Sequence, residues 1–164
     1  MSEARHLADA LVGMLSDPES GWFTPVSVAI QGLTAGQAAK IPSEGFNSVW
    51  GVIKHMTYWE EYLLHRLRGE PVEQMKSEGK ENWQTIDQPN DEQAWRSDCE
   101  QLFTMNKALA DVVAGLSDEA LDEPYGDGEV KRYQAIQGII AHNSYHTNEA
   151  ISIRHMLGYW LEST

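Results

Sequence analysis

The sequence has only one cysteine, Cys99, and no apolar run approaching the roughly 20 residues that a membrane-spanning helix needs. A single cysteine excludes an internal disulfide. The first 15 residues mix charged and apolar side chains in an amphipathic pattern that is unlike a signal peptide. We therefore expect a soluble, cytoplasmic protein. We expect Cys99 to be a small packed side chain, which is a more common role for a lone helical cysteine than that of a nucleophile.

Basic residues are also scarce. The chain has 12 Lys and Arg against 25 Asp and Glu, which gives a formal net charge of −13. Proteins that bind nucleic acids normally present a basic surface to the phosphate backbone. An anionic membrane surface would repel this chain for the same reason. We therefore expect neither a nucleic acid nor a membrane as a partner.

No segment alternates apolar and polar residues for long enough to predict a strand. Proline and glycine breaks instead divide the chain into helical stretches. We predict helices near 2–15 and 22–32, then over about 47–68, 90–114 and 132–157. The third long stretch resembles one opened by a capping box of Asn90 and Gln93.

Four long helices in one domain, taken as residues 1–164, predict an all-α fold that forms a four-helix bundle. Short links favour antiparallel neighbours. The polar loop over 70–89, however, is long enough to cross the whole bundle. The second and third long helices could therefore run parallel or antiparallel.

The last helix carries His142 and His146 four residues apart, so both imidazoles project from one face. This spacing lets two ring nitrogens reach one metal ion at about 2 Å each. We predict that the same face is buried, from its other members: Ala135, Ile139, Glu149, Ile153, Met156 and Leu157. Burying unpaired polar groups costs several kcal/mol. A metal would offset that cost, and so would a hydrogen-bonded polar network.

A third ligand must come from another helix, and His55 is the candidate. Its helix face also carries apolar and aromatic residues: Gly51, Val52, Tyr58, Trp59 and Tyr62. A lone helical histidine is more often a satisfied core residue, but three together favour a metal site. The other three histidines are predicted to be surface or packing residues: His6, His65 and His155.

Around these histidines the sequence resembles the DinB-like proteins. The matching segments are Gly32-Leu33-Thr34, Ser48 to His55 with Trp59-Glu60, Gly138 to His146, and Leu157-Gly158. The resemblance implies a bundle of up-down-down-up topology with a long loop between helices two and three. It also implies a zinc or nickel ion on His55, His142 and His146, and a homodimer. Some relatives use low-molecular-weight thiols such as bacillithiol or mycothiol in transfer or isomerisation reactions.

The chain departs from this resemblance at Glu149, where many relatives have Gln three residues after the last histidine. Glu149 could be a fourth ligand, a catalytic general base or a partner that orients an imidazole. Three neutral imidazoles leave a divalent metal with open positions, where water or a thiol becomes acidic.

We therefore expect hydrolysis or low-molecular-weight-thiol transfer on a small-molecule substrate. Tyr58, Trp59 and Tyr62 are candidates to line the pocket, although ordinary core packing also explains them. Two alternatives remain. One is a non-catalytic metal-binding or stress-related protein, and the other is a plain interaction module.

The resemblance, together with six tryptophans in a chain of this size, predicts a homodimer, since aromatic residues are enriched at protein interfaces. Light scattering should give about twice the chain mass of 18.4 kDa. A mass near that of one chain throughout a concentration series would contradict this prediction.

Overall fold

The computed structural model describes residues 2–19, 22–72, 82–126 and 128–161. Within these residues seven helices follow in order: α1 (Glu3–Ser16), α2 (Val26–Ala29), α3 (Ala35–Ala38), α4 (Val49–Leu67), α5 (Glu92–Ala114), α6 (Asp118–Leu121) and α7 (Arg132–Met156). The four long helices α1, α4, α5 and α7 form the bundle. The described residues contain no strand, only an isolated bridge between Pro124 and Lys131. The predicted all-α class is confirmed.

Side-chain caps fix where three of the long helices begin, because a cap oxygen accepts a backbone N–H that the helix itself leaves unpaired. Ser2 caps α1 and Ser48 caps α4. The predicted capping box of Asn90 and Gln93 was one residue early. Asp91 is the cap of α5, and its carboxylate accepts the backbone N–H groups of Gln93 and Ala94.

The helix predicted near 22–32 was wrong in extent, since only α2 is helical there. Pro25 precedes it, and proline is tolerated only at the first turn because it lacks a backbone N–H. The helix ends at its C-cap residue, Ile30. Gly32 then adopts a φ of 74°, a left-handed conformation that favours glycine. At the other end of the chain, α7 ends one residue before its predicted limit.

Side-chain pairs show that α4 and α5 run parallel. Near the starts of both helices, Trp50 Nε1 donates to Asp98 Oδ2 over 2.6 Å. Further along both helices, Asn106 Nδ2 donates to Glu60 Oε1 over 2.9 Å. Parallel packing is the arrangement that the resemblance implied, with the loop predicted over 70–89 joining the two helices. Residues 73–81 of that loop lie outside the described part of the chain.

The other long helices run the opposite way. Asn47 beside the start of α4 pairs with Glu149 late in α7, whereas Glu60 pairs with Asn143 earlier in α7. The first half of α1 belongs to the same apolar core cluster as the last half of α5. Met14, near the end of α1, belongs to the other cluster together with the first half of α5. Helices α1 and α5 are therefore antiparallel. The predicted up-down-down-up topology is thereby confirmed. None of the described helices is long and apolar enough to cross a membrane.

A buried polar network joins α4, α5 and α7. Glu60 lies at its centre with 0% exposure, and its Oε1 accepts hydrogen bonds from Asn106 and from Asn143. Its second oxygen, Oε2, has no hydrogen-bond partner among the described residues. Burial raises the pKa of Glu60 to about 7, although the two amide hydrogen bonds oppose that rise.

This raised pKa predicts a pH dependence of stability. The Glu60 carboxyl ionises near pH 4.5 in the unfolded chain and near pH 7 in the folded one, so the folded state holds the proton more tightly. Its contribution to the free energy of unfolding is therefore complete below about pH 4.5 and is lost as the pH rises to about 7. The full loss is on the order of 3 kcal/mol.

Replacing Glu60 by Gln removes this titration. The difference in unfolding free energy between Glu60→Gln and the wild type should shift in favour of the variant as the pH rises from about 5 to about 8, because only the wild type loses stability by ionising. Urea unfolding at a series of pH values measures this shift. A difference in unfolding free energy that stays constant over this range would contradict the assignment.

Candidate metal centre

The structure brings the three predicted histidines together where α4 packs against α7. His55 Nε2 lies 3.1 Å from His142 Nε2. The ring centroid of His146 lies 4.5 Å from that of His55 and 4.3 Å from that of His142. One ring nitrogen from each residue lies within 4.8 Å of the other two. These three residues, called the histidine centre below, could hold a single metal ion.

The orientation of His55 is set from the loop that precedes α5. Its Nδ1–H donates to the backbone carbonyl of Asn82 over 2.8 Å, which leaves the lone pair on Nε2. Trp83 stacks on the same imidazole, with ring centroids 4.1 Å apart and planes inclined by only 6°. Sequence reasoning identified neither residue, because both lie in the polar loop. The presence of Trp83 in an otherwise polar segment was the sequence feature that could have indicated a role for this loop in the site.

The orientation of His146 is set by Glu149. The Nδ1 of His146 lies 2.7 Å from Glu149 Oε2, and Glu149 Oε1 accepts a hydrogen bond from Asn47 Nδ2 over 2.9 Å. Burial alone would raise the pKa of Glu149, but the hydrogen bonds from His146 and Asn47 outweigh it and lower that pKa overall. Glu149 is therefore an ionised acceptor behind His146, and it is outside the group of converging ligand atoms.

Burial favours the neutral form of two of the three rings, those of His55 and His142. Burial, followed by the neighbouring His146 and His55, lowers the pKa of His142 to about 4. Burial also lowers the pKa of His55. A neutral imidazole is the form that binds metal, so protons compete weakly for these two rings at neutral pH.

The donor set fits a divalent transition metal. Two imidazole nitrogens bound to one tetrahedral ion at 2.0–2.1 Å lie about 3.3 Å apart, close to the spacing between His55 and His142. Neutral imidazoles suit zinc and nickel. The Asn82 backbone carbonyl and the Glu149 carboxylate occupy Nδ1 of His55 and His146, which leaves Nε2 of both rings available to a metal.

Aromatic rings surround the histidine centre. Trp59 contacts His55 and His142 edge-on, with centroid distances of 6.3 Å and 6.0 Å. Tyr58 and Tyr62, which were also predicted to line the pocket, pack edge-on against Trp59. One further aromatic ring beside the histidine centre, that of Tyr145, was not predicted from the sequence. It is 68% exposed and lies edge-on to His146.

The buried face of α7 differs from the predicted one. Met156 is 54% exposed, and His142 and Glu149 are only half-buried, whereas Asn143 and Ala150 are buried. The prediction that His142 and Glu149 lie in the middle of the buried face was therefore wrong. The buried stripe is rotated toward Asn143 because α7 packs against α1 as well as α4. His142 and Glu149 lie at the edge of that stripe.

The remaining reactive side chains lie outside the centre, as expected. His6 is exposed, and His155 stacks on Trp160 with a centroid distance of 4.1 Å. His65 pairs with Glu70 near the end of α4. Cys99 packs against the core, and burial, followed by the charges of two acidic neighbours, raises its pKa to about 12. Its thiol is therefore protonated and unreactive.

Comparison with known proteins identifies one family. A family model of the DinB superfamily matches residues 26–150, a segment that includes all three members of the histidine centre. Searches of curated proteins and of solved structures found no match.

The centre predicts how zinc binding responds to mutation. Replacing His55, His142 or His146 by Ala should lower zinc affinity sharply, since each removes one of three ligands, while the helical circular dichroism signal stays largely intact. Affinity can be measured by competition with a chromophoric chelator on protein purified without added metal. His155→Ala is the matched control on α7 and should bind zinc like the wild type. Wild-type affinity in all three variants would refute the centre.

Proposed function

Because the chain belongs to the DinB superfamily, we propose that it is a metal-dependent enzyme that transfers a low-molecular-weight thiol to a small-molecule substrate. The observation that carries the proposal is the convergence of three imidazole nitrogens within 4.8 Å of one another. Three protein ligands are typical of catalytic sites, which keep a coordination position open, whereas structural sites are closed by four. Glu149 is outside the converging group, so nothing among the described residues supports a closed site.

A divalent metal, when bound at this centre, would supply the positive charge that acidifies a coordinated thiol or water. A free thiol has a pKa of about 8.5, and this pKa must fall only slightly for the thiol to ionise at neutral pH. For water, the pKa must fall from 15.7 to about 7. Both oxygens of Glu149 already accept hydrogen bonds, so this carboxylate is poorly placed to help water lose a proton. These considerations favour thiol transfer over hydrolysis.

In this proposal the protein side chains bind and orient. The Asn82 carbonyl and Glu149 hold the rings of His55 and His146, and Trp59 and Trp83 shield the centre from water. The aromatic walls favour the apolar part of a small substrate. Glu149 acts as a positioning residue that orients His146 and raises its basicity as a ligand.

The reaction can be tested with zinc-loaded and nickel-loaded protein. We expect bacillithiol or mycothiol to be consumed in the presence of small electrophiles, with the thiol adduct detected by mass spectrometry. His142→Ala should lose this activity and His155→Ala should retain it. A parallel panel of esters and amides without thiol tests hydrolysis. Turnover of that panel alone would replace thiol transfer by hydrolysis, and no turnover in either assay would favour a non-catalytic metal-binding protein.

The role of Glu149 predicts a separate result. Glu149→Gln should fold normally but lower metal affinity about 10- to 100-fold, because a neutral amide is a weaker acceptor for the imidazole N–H. Chelator competition measures this change. Glu61→Gln, which removes a carboxylate beside His65 on α4, is the matched control. An unchanged metal titration for Glu149→Gln would show that the carboxylate is a bystander.

A further inference from the structure

The buried carboxylate of Glu60 has no role in the proposed function. It is fully buried, and its Oε1 accepts hydrogen bonds from two equally buried amides, those of Asn106 and Asn143. A buried polar network of this kind is costly unless every member is satisfied. Yet Oε2 of Glu60 has no partner among the described residues. An apolar side chain would avoid that cost, so the network invites a functional explanation.

The chemistry of the network fixes the orientation of one amide. Oε1 of Glu60 accepts two hydrogen bonds, so Asn106 and Asn143 must each present their NH₂ group to it, at 2.9 Å and 2.6 Å. Asn143 consequently turns its oxygen, Oδ1, the other way. That oxygen lies 3.5 Å from Nδ1 of His142.

An oxygen in this position favours one form of the His142 ring. Oδ1 is attracted to an Nδ1 that carries hydrogen and repels the lone pair of an Nδ1 that does not. With the hydrogen on Nδ1, the lone pair is on Nε2, which lies 3.1 Å from the unprotonated Nε2 of His55. Two lone pairs at this distance repel unless a cation lies between them, so this form of His142 is the one that binds metal. The other two rings obtain the same arrangement from partners of their own, the Asn82 carbonyl and Glu149.

We infer that Glu60 and Asn143 are positioning residues, which act in series to direct Nε2 of His142 toward the metal. Glu60 fixes the amide of Asn143, and Asn143 fixes the imidazole. This inference rests on the metal site of the proposed function but not on its reaction. Without Glu60 the amide of Asn143 could rotate and point its NH₂ group at Nδ1 of His142. When Nε2 of His142 binds metal, Nδ1 carries a hydrogen, so two hydrogen-bond donors would then face each other.

The most conservative test is Glu60→Gln. Its amide nitrogen must occupy one of the two oxygen positions. At the Oε2 position it would be a buried donor without a partner, which is less well tolerated than an unpaired carbonyl. At the Oε1 position it would force both asparagines to turn their oxygens toward it. The Oε1 arrangement is therefore favoured, and it turns the oxygen of Asn143 away from His142. Zinc affinity should fall about tenfold or more, as measured by chelator competition.

A matched pair of variants separates positioning from general damage to the core. Asn143→Leu and Asn106→Leu each remove one amide donor from Glu60, but only the first removes the oxygen that faces His142. Zinc affinity should fall in Asn143→Leu and stay unchanged in Asn106→Leu. Thermal unfolding of both variants checks that they fold.

A spectroscopic readout identifies the affected ring. In zinc-loaded protein labelled with ¹⁵N, the Nδ1–H signals of His55 and His146 should be the same in the wild type and in Glu60→Gln, while that of His142 should shift or exchange faster. Equal zinc affinities and an unchanged His142 signal in Glu60→Gln and Asn143→Leu would overturn the inference and leave the metal site standing. A wild-type protein that binds no zinc would instead refute the site itself.

Discussion

The contact between α4 and α7 buries polar side chains that each need a partner, and the architecture of the site follows from that requirement. Because the two helices are antiparallel, His55 meets His142 and His146 while Glu60 meets Asn143. Leaving such groups unpaired would cost several kcal/mol, which is comparable with the net stability of a typical protein domain. The amides satisfy one oxygen of the carboxylate, and a metal would satisfy the imidazoles.

The same requirement explains why the loop before α5 belongs to the site. The Nδ1 of His55 is buried, and its partner is a backbone carbonyl supplied by that loop. Trp83 then covers the ring with its indole. The centre is therefore built from two helices and a loop segment, and its rigid part is the helix pair. Ligands carried on packed helices are held more precisely than ligands carried on loops.

Much of the fold could be predicted from the sequence, because proline and glycine breaks and the 3.6-residue period report on each helix separately. These signals do not report which neighbours a helix has. The predicted buried face of α7 was therefore centred on His142. In the structure α7 packs against two helices, and Asn143 lies in the buried stripe instead. The region of α2 was overextended for a similar reason, since its apolar residues were counted without the effect of Pro25 and Gly32.

The three histidines could be predicted because two lie four residues apart and all lie on faces rich in apolar residues. Their partners could not. Asn47 and Asn82 lie outside the helices and belong to no motif, and they reach the centre only through tertiary contacts. Glu60 was noted in the sequence as part of a family resemblance, but its burial between Asn106 and Asn143 depends on the parallel packing of α4 and α5.

The proposed centre holds one metal ion on three Nε2 atoms, and anomalous diffraction from crystals of zinc-loaded protein tests this most directly. We expect a single strong peak about 2.0–2.2 Å from Nε2 of His55, His142 and His146. Nδ1 of His55 should remain on the Asn82 carbonyl, and Nδ1 of His146 on Glu149. A peak located elsewhere, or coordinated through Nδ1 of these rings, would contradict the account.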